Sequence, residues 1–206
     1  MPSAGVPRRA RARRGEGDLL REEILTAAEQ LLVETGDSAA VSIRAVADAV
    51  GVTPPSIYLH FADKTDLLFA VCERHYTALD EHIQAALAGI EDPLERLYRQ
   101  GRAYIHFGIE NPEHYRVLFM GRPDITPERF EGEQLRATAA FNHLHDDVVA
   151  AYAAGAFGEE QDPFVVSCGL WITVHGVTSL LITKPSFPWP PLETLIDHLL
   201  VGHGPR

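Results

Sequence analysis

Apolar residues recur every three or four positions along most of the chain, which is the spacing of an amphipathic helix. The first such stripe is followed by Gly36, a residue type that is common just after a helix end. No stretch alternates apolar and polar residues around a tight-turn dipeptide, as a β-hairpin would. The pattern therefore predicts an all-α protein. The first stripe consists of Leu20, Ile24, Ala27 and Leu31.

Helix starts are marked by a short polar residue followed by proline. The polar side chain accepts a hydrogen bond from a free N–H group, and proline has no N–H that would be left unpaired there. These marks and the stripes between them predict about nine helices without internal repeats. The pairs are Thr53-Pro54, Asp92-Pro93, Asn111-Pro112, Thr126-Pro127 and Asp162-Pro163. A long helix is predicted from Lys64 to about Ala88, and later helices at about 93–109, 112–120, 127–154, 163–184 and 191–202.

Residues 42–61 have the pattern of a helix-turn-helix. Eight helical residues precede Gly51, where a helix can end with positive φ, and a second short helix follows. Ala47 is small enough for two helices to cross closely. Val52 and Ile57 can bury against the first helix. Such a unit places its second helix in the major groove of DNA.

Polar side chains around this turn form a candidate DNA-binding set. Ser42 caps the first helix, and Arg44 projects from its first turn, so both can bind phosphate. Thr53, Pro54 and Ser56 open the second helix, where base edges are usually contacted. The other candidates, placed to reach phosphates or the groove wall, are Tyr58, His60 and Lys64.

Charge is distributed unevenly along the chain. The net charge of −11 alone argues against nucleic-acid binding. However, residues 1–65 hold 8 basic and 9 acidic side chains, whereas residues 66–206 hold 10 basic and 20 acidic. Residues 1–15 alone hold five arginines and no acid. Such a basic arm on an acidic body can orient a protein on DNA, because phosphate repels the body. The arm and the polar set favour DNA binding over the alternative of an ordinary helical hairpin in an all-α core. Candidate backbone or minor-groove contacts in the arm are Arg11, Arg13 and Arg14.

The segment from Tyr58 to Leu68 resembles a signature of the tetracycline-repressor (TetR) family. It reads Tyr-Leu-His-Phe-Ala-Asp-Lys-Thr-Asp-Leu-Leu. The signature is tyrosine, any residue, histidine or tyrosine, phenylalanine, two residues, lysine, two residues and leucine. The resemblance covers about residues 19–68 and implies a homodimeric, ligand-responsive repressor with nine or ten helices. It also implies that members' DNA contacts correspond to Thr53, Ser56, Tyr58, His60 and Lys64.

One departure from the family pattern is Pro54-Pro55, where a glycine or another small residue is common second in the pair. Pro55 has no N–H, so it cannot donate a backbone hydrogen bond to DNA there. The resemblance divides the chain into a basic arm at 1–17, a DNA-binding domain at 18–64 and a ligand-binding and dimerisation domain at 65–206. One short recognition helix reads few base pairs, so we expect a homodimer on a pseudo-palindromic operator in double-stranded DNA.

Residues 164–182 carry no charged side chain and are long enough, in principle, to span a bilayer. Seven of them are Ser, Thr, Gly or His, which favours a fully buried helix of a globular protein over a membrane-spanning helix. Gly169, Thr173 and Gly176 share a face that a second helix could approach closely. In the family the eighth and ninth helices form a four-helix dimer interface. The resemblance therefore adds Leu180, Leu195 and Leu199 to the predicted interface.

Two further stretches resemble the C-terminal domain of one subgroup of the family, Trp171 to Gly176 and Asn111 to Phe119. Aromatic, histidine and cysteine side chains of helices four to eight are candidates for lining an effector cavity. As a group they fit an apolar or aromatic small molecule, whereas each alone fits an ordinary core. They are Cys72, Tyr76, Tyr104, Phe107, Phe119, Phe141, His145, Trp171 and His175.

Neither a cofactor nor a metal site is predicted. His143 and His145 are two positions apart on a helix and do not face one way, and no third ligand is matched to them. The chain has no GxSxG motif or glycine-rich phosphate loop, so an enzyme is not expected. Cys72 and Cys168 have no paired spacing, and no apolar stretch follows the arginines as in a signal peptide. A reduced cytoplasmic setting is expected.

Two functions therefore remain open from the sequence. The first is a DNA-binding repressor that a small-molecule inducer releases from its operator. The second is a DNA-binding regulator without a ligand, which responds to a partner protein instead.

Overall fold

The computed structural model describes residues 17–119, 136–157 and 161–201. Within these ranges every regular element is a helix, which confirms the all-α prediction. The arm residues Arg11, Arg13 and Arg14, and the start of the helix predicted at 127–154, lie outside the described residues. The helices are α1 (Gly17–Thr35), α2 (Ile43–Val50), α3 (Pro54–Ile57), α4 (Lys64–Ala86), α5 (Pro93–Glu110), α6 (Pro112–Phe119), α7 (Arg136–Ala153), α8 (Pro163–Thr183) and α9 (Leu192–Val201).

Local capping chemistry begins two of these helices as predicted. The Asp92 carboxylate accepts from the backbone N–H of Glu95 at 3.3 Å, and that of Asp162 accepts from Phe164 at 2.8 Å. Thr53 is different, because its side chain makes no capping hydrogen bond to α3. The helix that follows Thr53 is short, as predicted; it ends at Ile57, and the chain continues as a turn.

The chain forms two compact units. Among the described residues, the first unit contains residues 17–75 and 113–119, and the second contains residues 76–112, 136–157 and 161–201. The first residues of α4 thus pack with the helix-turn-helix segment. The predicted domain boundary at 64/65 stays a prediction.

One continuous hydrophobic cluster forms the core of the first unit. Ile24 and Ala28 of α1 lie one turn apart and are fully buried, as are Val46, Ile57 and Leu67 from α2, α3 and α4. Each large apolar side chain buried in this way contributes about 1.5–3 kcal/mol relative to exposure. The core therefore fixes the position of short α3, which four residues alone would not hold as a helix.

In the second unit, α5 packs against α7, α8 and α9. Gly101 of α5 allows the close approach. A Cβ atom there would lie 3.0 Å from both terminal carbons of Leu200 and 3.4 Å from a methyl group of Val174. Ile105, on the same helix, is fully buried.

The expectation that α8 is fully buried is wrong. Its buried residues lie along one side, while Val165 is 65% and Ile172 is 68% exposed on the other. Apolar composition reports only that a surface avoids water, and a subunit interface has the same composition as a core. In the described part of the chain, α8 is also the one helix whose length and hydropathy would suit a bilayer, a test that core helices of globular proteins pass as well.

Candidate nucleic-acid interface and neighbouring sites

The turn of the helix-turn-helix is fixed at both ends of α2. The Ser42 hydroxyl accepts from the N–H of Ala45 at 3.1 Å and begins the helix. Gly51 has φ of 78° and ends it. The N–H groups of Gly51 and Val52 both donate to the carbonyl of Ala47, at 3.0 and 2.9 Å. This double closure is the geometry of a left-handed cap, and it sets the angle at which the chain enters α3.

Recognition-helix candidates lie at the start of α3 and in the turn after it. The hydroxyl oxygens of Thr53 and Ser56 are 3.1 Å apart and share a hydrogen bond. The N–H of Ser56 donates to the carbonyl of Thr53 at 2.8 Å, which holds the two side chains together. Pro54 is partly exposed, Tyr58 is exposed and His60 is partly exposed. The arrangement presents hydroxyl, phenol and imidazole groups to solvent.

Sequence reasoning missed one residue of this surface, Leu59. It is 84% exposed and lies between Tyr58 and His60. A signal was available, because Ile57 and Phe61 are a buried pair about one turn apart, and Leu59, midway between them, falls on the opposite side. The candidate interface therefore contains an exposed apolar side chain among polar ones.

The start of α4 is capped by two aspartates. Asp63 accepts from the N–H of Asp66, and the Asp66 carboxylate accepts from the N–H of Ala62, both at 2.8 Å. This exchange is similar to a capping box. It positions Lys64 in the first turn, where its Nζ donates to the carbonyl of Ala39 at 3.4 Å. The side chain of Lys64 is partly exposed. Arg44, in the first turn of α2, is exposed as well.

Several predicted effector residues come together in the second unit. The Tyr104 hydroxyl and His175 Nδ1 are 3.3 Å apart. The Trp171 ring lies 6.3 Å from the His175 ring and 5.9 Å from that of Phe141. Burial lowers the pKa of His175 below its ordinary value, so this imidazole is neutral at pH 7. His145 Nδ1 lies 3.1 Å from the hydroxyl of Ser167 on α8.

Other predicted effector residues are placed elsewhere. Cys72 belongs to the core of the first unit, where burial, and secondarily Glu73, raises its thiol pKa to about 11. Phe119 also lies in the first unit. Phe107 and the partly buried Tyr76 lie in the second. That all nine candidates line one cavity stays a prediction.

The predicted dimer residues of α8 lie on its open side. A Cβ atom built at Gly169 or Gly176 would meet nothing within 4 Å. The Thr173 hydroxyl donates to the carbonyl of Gly169 at 2.8 Å, so it needs no partner from outside the helix. Leu180 is exposed. Leu195 and Leu199 of α9 are partly buried.

Sequence reasoning also missed a cluster of Glu29, His75 and His114 in the first unit. One potential ligand atom of each residue lies within 4.8 Å of those of the other two. The three residues come from α1, α4 and α6, and no local motif links them. The cluster is therefore visible only in the folded chain.

Comparison with known families gives two matches. Residues 24–71 match the bacterial regulatory proteins of the tetR family, and residues 97–202 match the tetracyclin repressor-like C-terminal domain. The second match alone covers half of the chain and includes the stretch from Trp171 to Gly176.

Two curated relatives are similar to part of the chain. The HTH-type transcriptional activator FasR of Mycolicibacterium smegmatis is 33% identical over 118 residues, which are 57% of this chain and 52% of FasR. The nucleoid occlusion factor SlmA of Vibrio campbellii is 32% identical over 98 residues, which are 48% of this chain and 50% of SlmA. The chain thus spans about half the length of these relatives.

Two solved structures have the same fold. The fatty acid degradation regulator FadR from Bacillus halodurans has a TM-score of 0.72 and 18% identity, covering 93% of this chain and 95% of its own. The transcriptional regulator FadR from Bacillus subtilis, in complex with stearoyl-CoA, has a TM-score of 0.73 and 16% identity, covering 87% and 95%. At these identities the likeness concerns the fold.

Proposed function

Because the chain belongs to the TetR family of DNA-binding transcriptional regulators, we propose that it is a homodimeric repressor released from its operator by an apolar or aromatic small molecule. DNA binding and transcription regulation come with the family. Repression, the dimer and the effector are the finer part of the proposal. The observation that carries it is the helix-turn-helix with its solvent-facing polar set.

On this proposal α3 enters the major groove with its N-terminal residues towards the bases. The linked hydroxyls of Thr53 and Ser56 are the candidate base contacts, and Pro54 packs against the groove. Leu59 adds an apolar surface suited to the C5-methyl group of thymine. Pro55 supplies no N–H donor, so recognition here uses side chains.

Phosphate contacts surround this base-reading surface. We assign them to side chains at capped helix starts, where the N-terminal dipole adds to the attraction. Ser42 and Arg44 serve at α2, and Lys64 serves at α4. Tyr58 and His60 reach the groove wall from the turn after α3. The arm adds Arg11, Arg13 and Arg14.

The exposed side of α8 supports the homodimer. Val165, Ile172 and Leu180 would leave a large apolar surface in water if the chain acted alone. Gly169 and Gly176 leave room for a close helix on that side. A copy of the same helix related by twofold symmetry satisfies both features, and two linked recognition helices then read a pseudo-palindrome.

The aromatic cluster of the second unit supports the effector. Phe141 and Trp171 supply apolar surface, and Tyr104 and His175 supply a paired hydroxyl and neutral imidazole. Few polar groups among many apolar ones suit an apolar or aromatic molecule. The Bacillus subtilis FadR of similar fold was crystallised with stearoyl-CoA, whose acyl chain is such a group.

A second candidate is a regulator that activates transcription. It is favoured by the likeness to FasR, which is described as an activator. A third is a DNA-binding protein that responds to a partner protein rather than to a ligand; the likeness to SlmA, a nucleoid occlusion factor, favours it. Each retains the DNA-binding surface, a cytoplasmic location and a non-enzymatic role.

The testing experiment is a gel shift with DNA fragments from around the protein's own gene. We expect a shift on a fragment that contains a pseudo-palindrome, and steep weakening as salt rises, because phosphate contacts release counterions. Absence of a shift with every fragment would contradict the proposal. Transcription from the shifted fragment, with and without the protein, separates repression from activation.

A further inference from the structure

Two histidines and a glutamate from three helices meet in the first unit. Glu29 Oε1 lies 3.6 Å from His75 Nε2 and 3.9 Å from His114 Nε2. The two imidazole rings are tilted against each other, with their centroids 4.4 Å apart. One carboxylate oxygen is therefore shared between two imidazole nitrogens, neither of them within hydrogen-bonding distance of it.

These separations suit a metal ion at the centre of the cluster. In a tetrahedral zinc site with bonds of about 2.0–2.1 Å, neighbouring ligand atoms are about 3.4 Å apart. The observed 3.6 and 3.9 Å from the carboxylate oxygen are a few tenths of an ångström longer, and all three potential ligand atoms lie within 4.8 Å of one another. A side-chain rotation closes such a gap without moving a helix.

His75 supplies an independent indication. It is 1% exposed, and its Nε2 atom is buried without a hydrogen-bond partner among the described residues. An unsatisfied buried polar atom costs about 1–3 kcal/mol. Desolvation, followed by the nearby His114 and Arg74, lowers the pKa of His75 to about 4. The imidazole is therefore neutral at pH 7, which is the form that binds metals.

The carboxylate of Glu29 is held in place by its other oxygen. Arg74 Nη1 lies 3.5 Å from Glu29 Oε2, while Nη2 of the same guanidinium is 2.9 Å from Glu22 Oε2. Arg74 therefore divides its charge between Glu22 and Glu29, and the other oxygen of Glu29, Oε1, faces the two histidines. Solvent also has access, since the Glu29 and His114 side chains are 21% and 37% exposed.

We propose that Glu29, His75 and His114 form a binding site for a transition-metal dication of the zinc type, with water or an anion completing the coordination. Two imidazoles and one carboxylate favour such ions over Mg²⁺ and Ca²⁺, which prefer all-oxygen sites. The ion would link α1, the first helix of the DNA-binding segment, to α4 and α6. This site is separate from the effector cluster and does not depend on the proposed repressor role.

The test is a titration of the untagged, chelator-treated protein with Co²⁺, whose visible absorption reports low-coordinate nitrogen and oxygen ligands. We expect saturation at one Co²⁺ per chain, displacement by Zn²⁺, and no displacement by Mg²⁺ at equal concentration. Glu29→Gln and His114→Gln each remove one ligand. They are expected to weaken Co²⁺ binding at least tenfold, roughly the loss caused by removing even an outer partner of a metal ligand.

His143→Gln is the matched control. His143 Nδ1 lies 2.9 Å from Asp80 Oδ1 and 3.1 Å from Gln84 Nε2, so it is a histidine beside a carboxylate, and it belongs to no group of three potential metal ligands among the described residues. This variant should bind Co²⁺ like the parent.

Thermal unfolding with and without Zn²⁺ gives a second readout that separates lost binding from lost folding. Zn²⁺ should raise the melting temperature of the parent and of His143→Gln. Zn²⁺ should leave the melting temperature of Glu29→Gln unchanged. Because we expect that variant to fold without metal, this result would report lost binding rather than lost folding. Absence of saturable Co²⁺ binding would overturn the site, and so would equal affinity in the parent, Glu29→Gln and His114→Gln.

Discussion

Two surfaces that expose apolar side chains to solvent, one around Leu59 and one on α8, differ in their surroundings. At the tip of the helix-turn-helix, Leu59 stands among hydroxyl, phenol and imidazole groups close to the capped start of α4. On α8, Ile172 stands beside Gly169 and Gly176, and the Thr173 hydroxyl is already bonded within the helix. The groups around Leu59 can form hydrogen bonds with a polar partner. The face around Ile172 offers mainly apolar contacts.

The difference shows that exposure alone does not identify a partner. An apolar residue among donors and a positive charge suits DNA, whose major groove presents hydrogen-bonding base edges and the methyl group of thymine beside charged phosphates. An apolar stripe with small residues suits another helix. The two surfaces should therefore respond to different substitutions and different solution conditions.

The largest expected effect is on the α8 surface. Ile172→Glu should split the proposed dimer, because an unpaired charge buried at the interface costs about 4 kcal/mol, or roughly a thousandfold in dissociation constant. Sedimentation velocity measures the loss. Leu94→Glu, which replaces an exposed leucine of α5, is the control and should leave the dimer intact. If the Ile172→Glu protein remained dimeric, the proposal that α8 forms the interface would be wrong.

The second largest effect is expected at Gly51, in the turn that sets the orientation of α3. Gly51→Ala should destabilise the first unit by about 1–2 kcal/mol, because a side chain strains the left-handed conformation. Gly51→Asn should cost less, since asparagine tolerates that region better. Urea unfolding at fixed protein concentration compares the two. Equal stabilities of all three proteins would mean that the φ of 78° is not maintained in solution.

Lys64→Ala should weaken DNA binding about tenfold on every sequence and reduce the salt dependence by about one unit of slope. The reason is that a phosphate contact attracts the backbone without reading bases. Fluorescence anisotropy at several salt concentrations measures both quantities. Lys184→Ala removes the other lysine of the chain and should have no effect. If Lys64→Ala bound DNA with unchanged affinity, the assignment of a phosphate contact to Lys64 would be wrong.

The smallest expected effect is a change in preference rather than in strength. Ser56→Ala removes one of the two linked hydroxyls of α3, and we expect a shift of about 1 kcal/mol at one base position with no change in salt dependence. Binding to a library of single-base operator variants measures it. A uniform loss over all variants would instead make Ser56 a backbone contact.

Local chemistry explains how much of the fold could be predicted from the sequence. The side chains of Ser42 and Asp162 accept hydrogen bonds from N–H groups two or three residues away, and Gly51 ends α2 through its own conformation. Both partners of such an interaction lie within a short sequence pattern, which therefore predicts it. The same holds for the buried spacing of Ile57 and Phe61, which places Leu59 outside. These features give the helices, the turn and the candidate DNA surface.

The predictions that failed concern contacts between residues distant in sequence. The exposed face of α8 cannot be told from a core by composition, since both are apolar. The meeting of Glu29, His75 and His114 requires three helices to be placed, and residue spacing carries no trace of it.

The open face of α8 also has a consequence for gene dosage. On the proposed dimer, the active species grows with the square of chain abundance while monomers predominate, so operator occupancy rises sigmoidally with expression. A chain with a damaged recognition helix but an intact α8 would capture normal chains in mixed pairs. A single defective gene copy would then act as a dominant inhibitor rather than a silent loss.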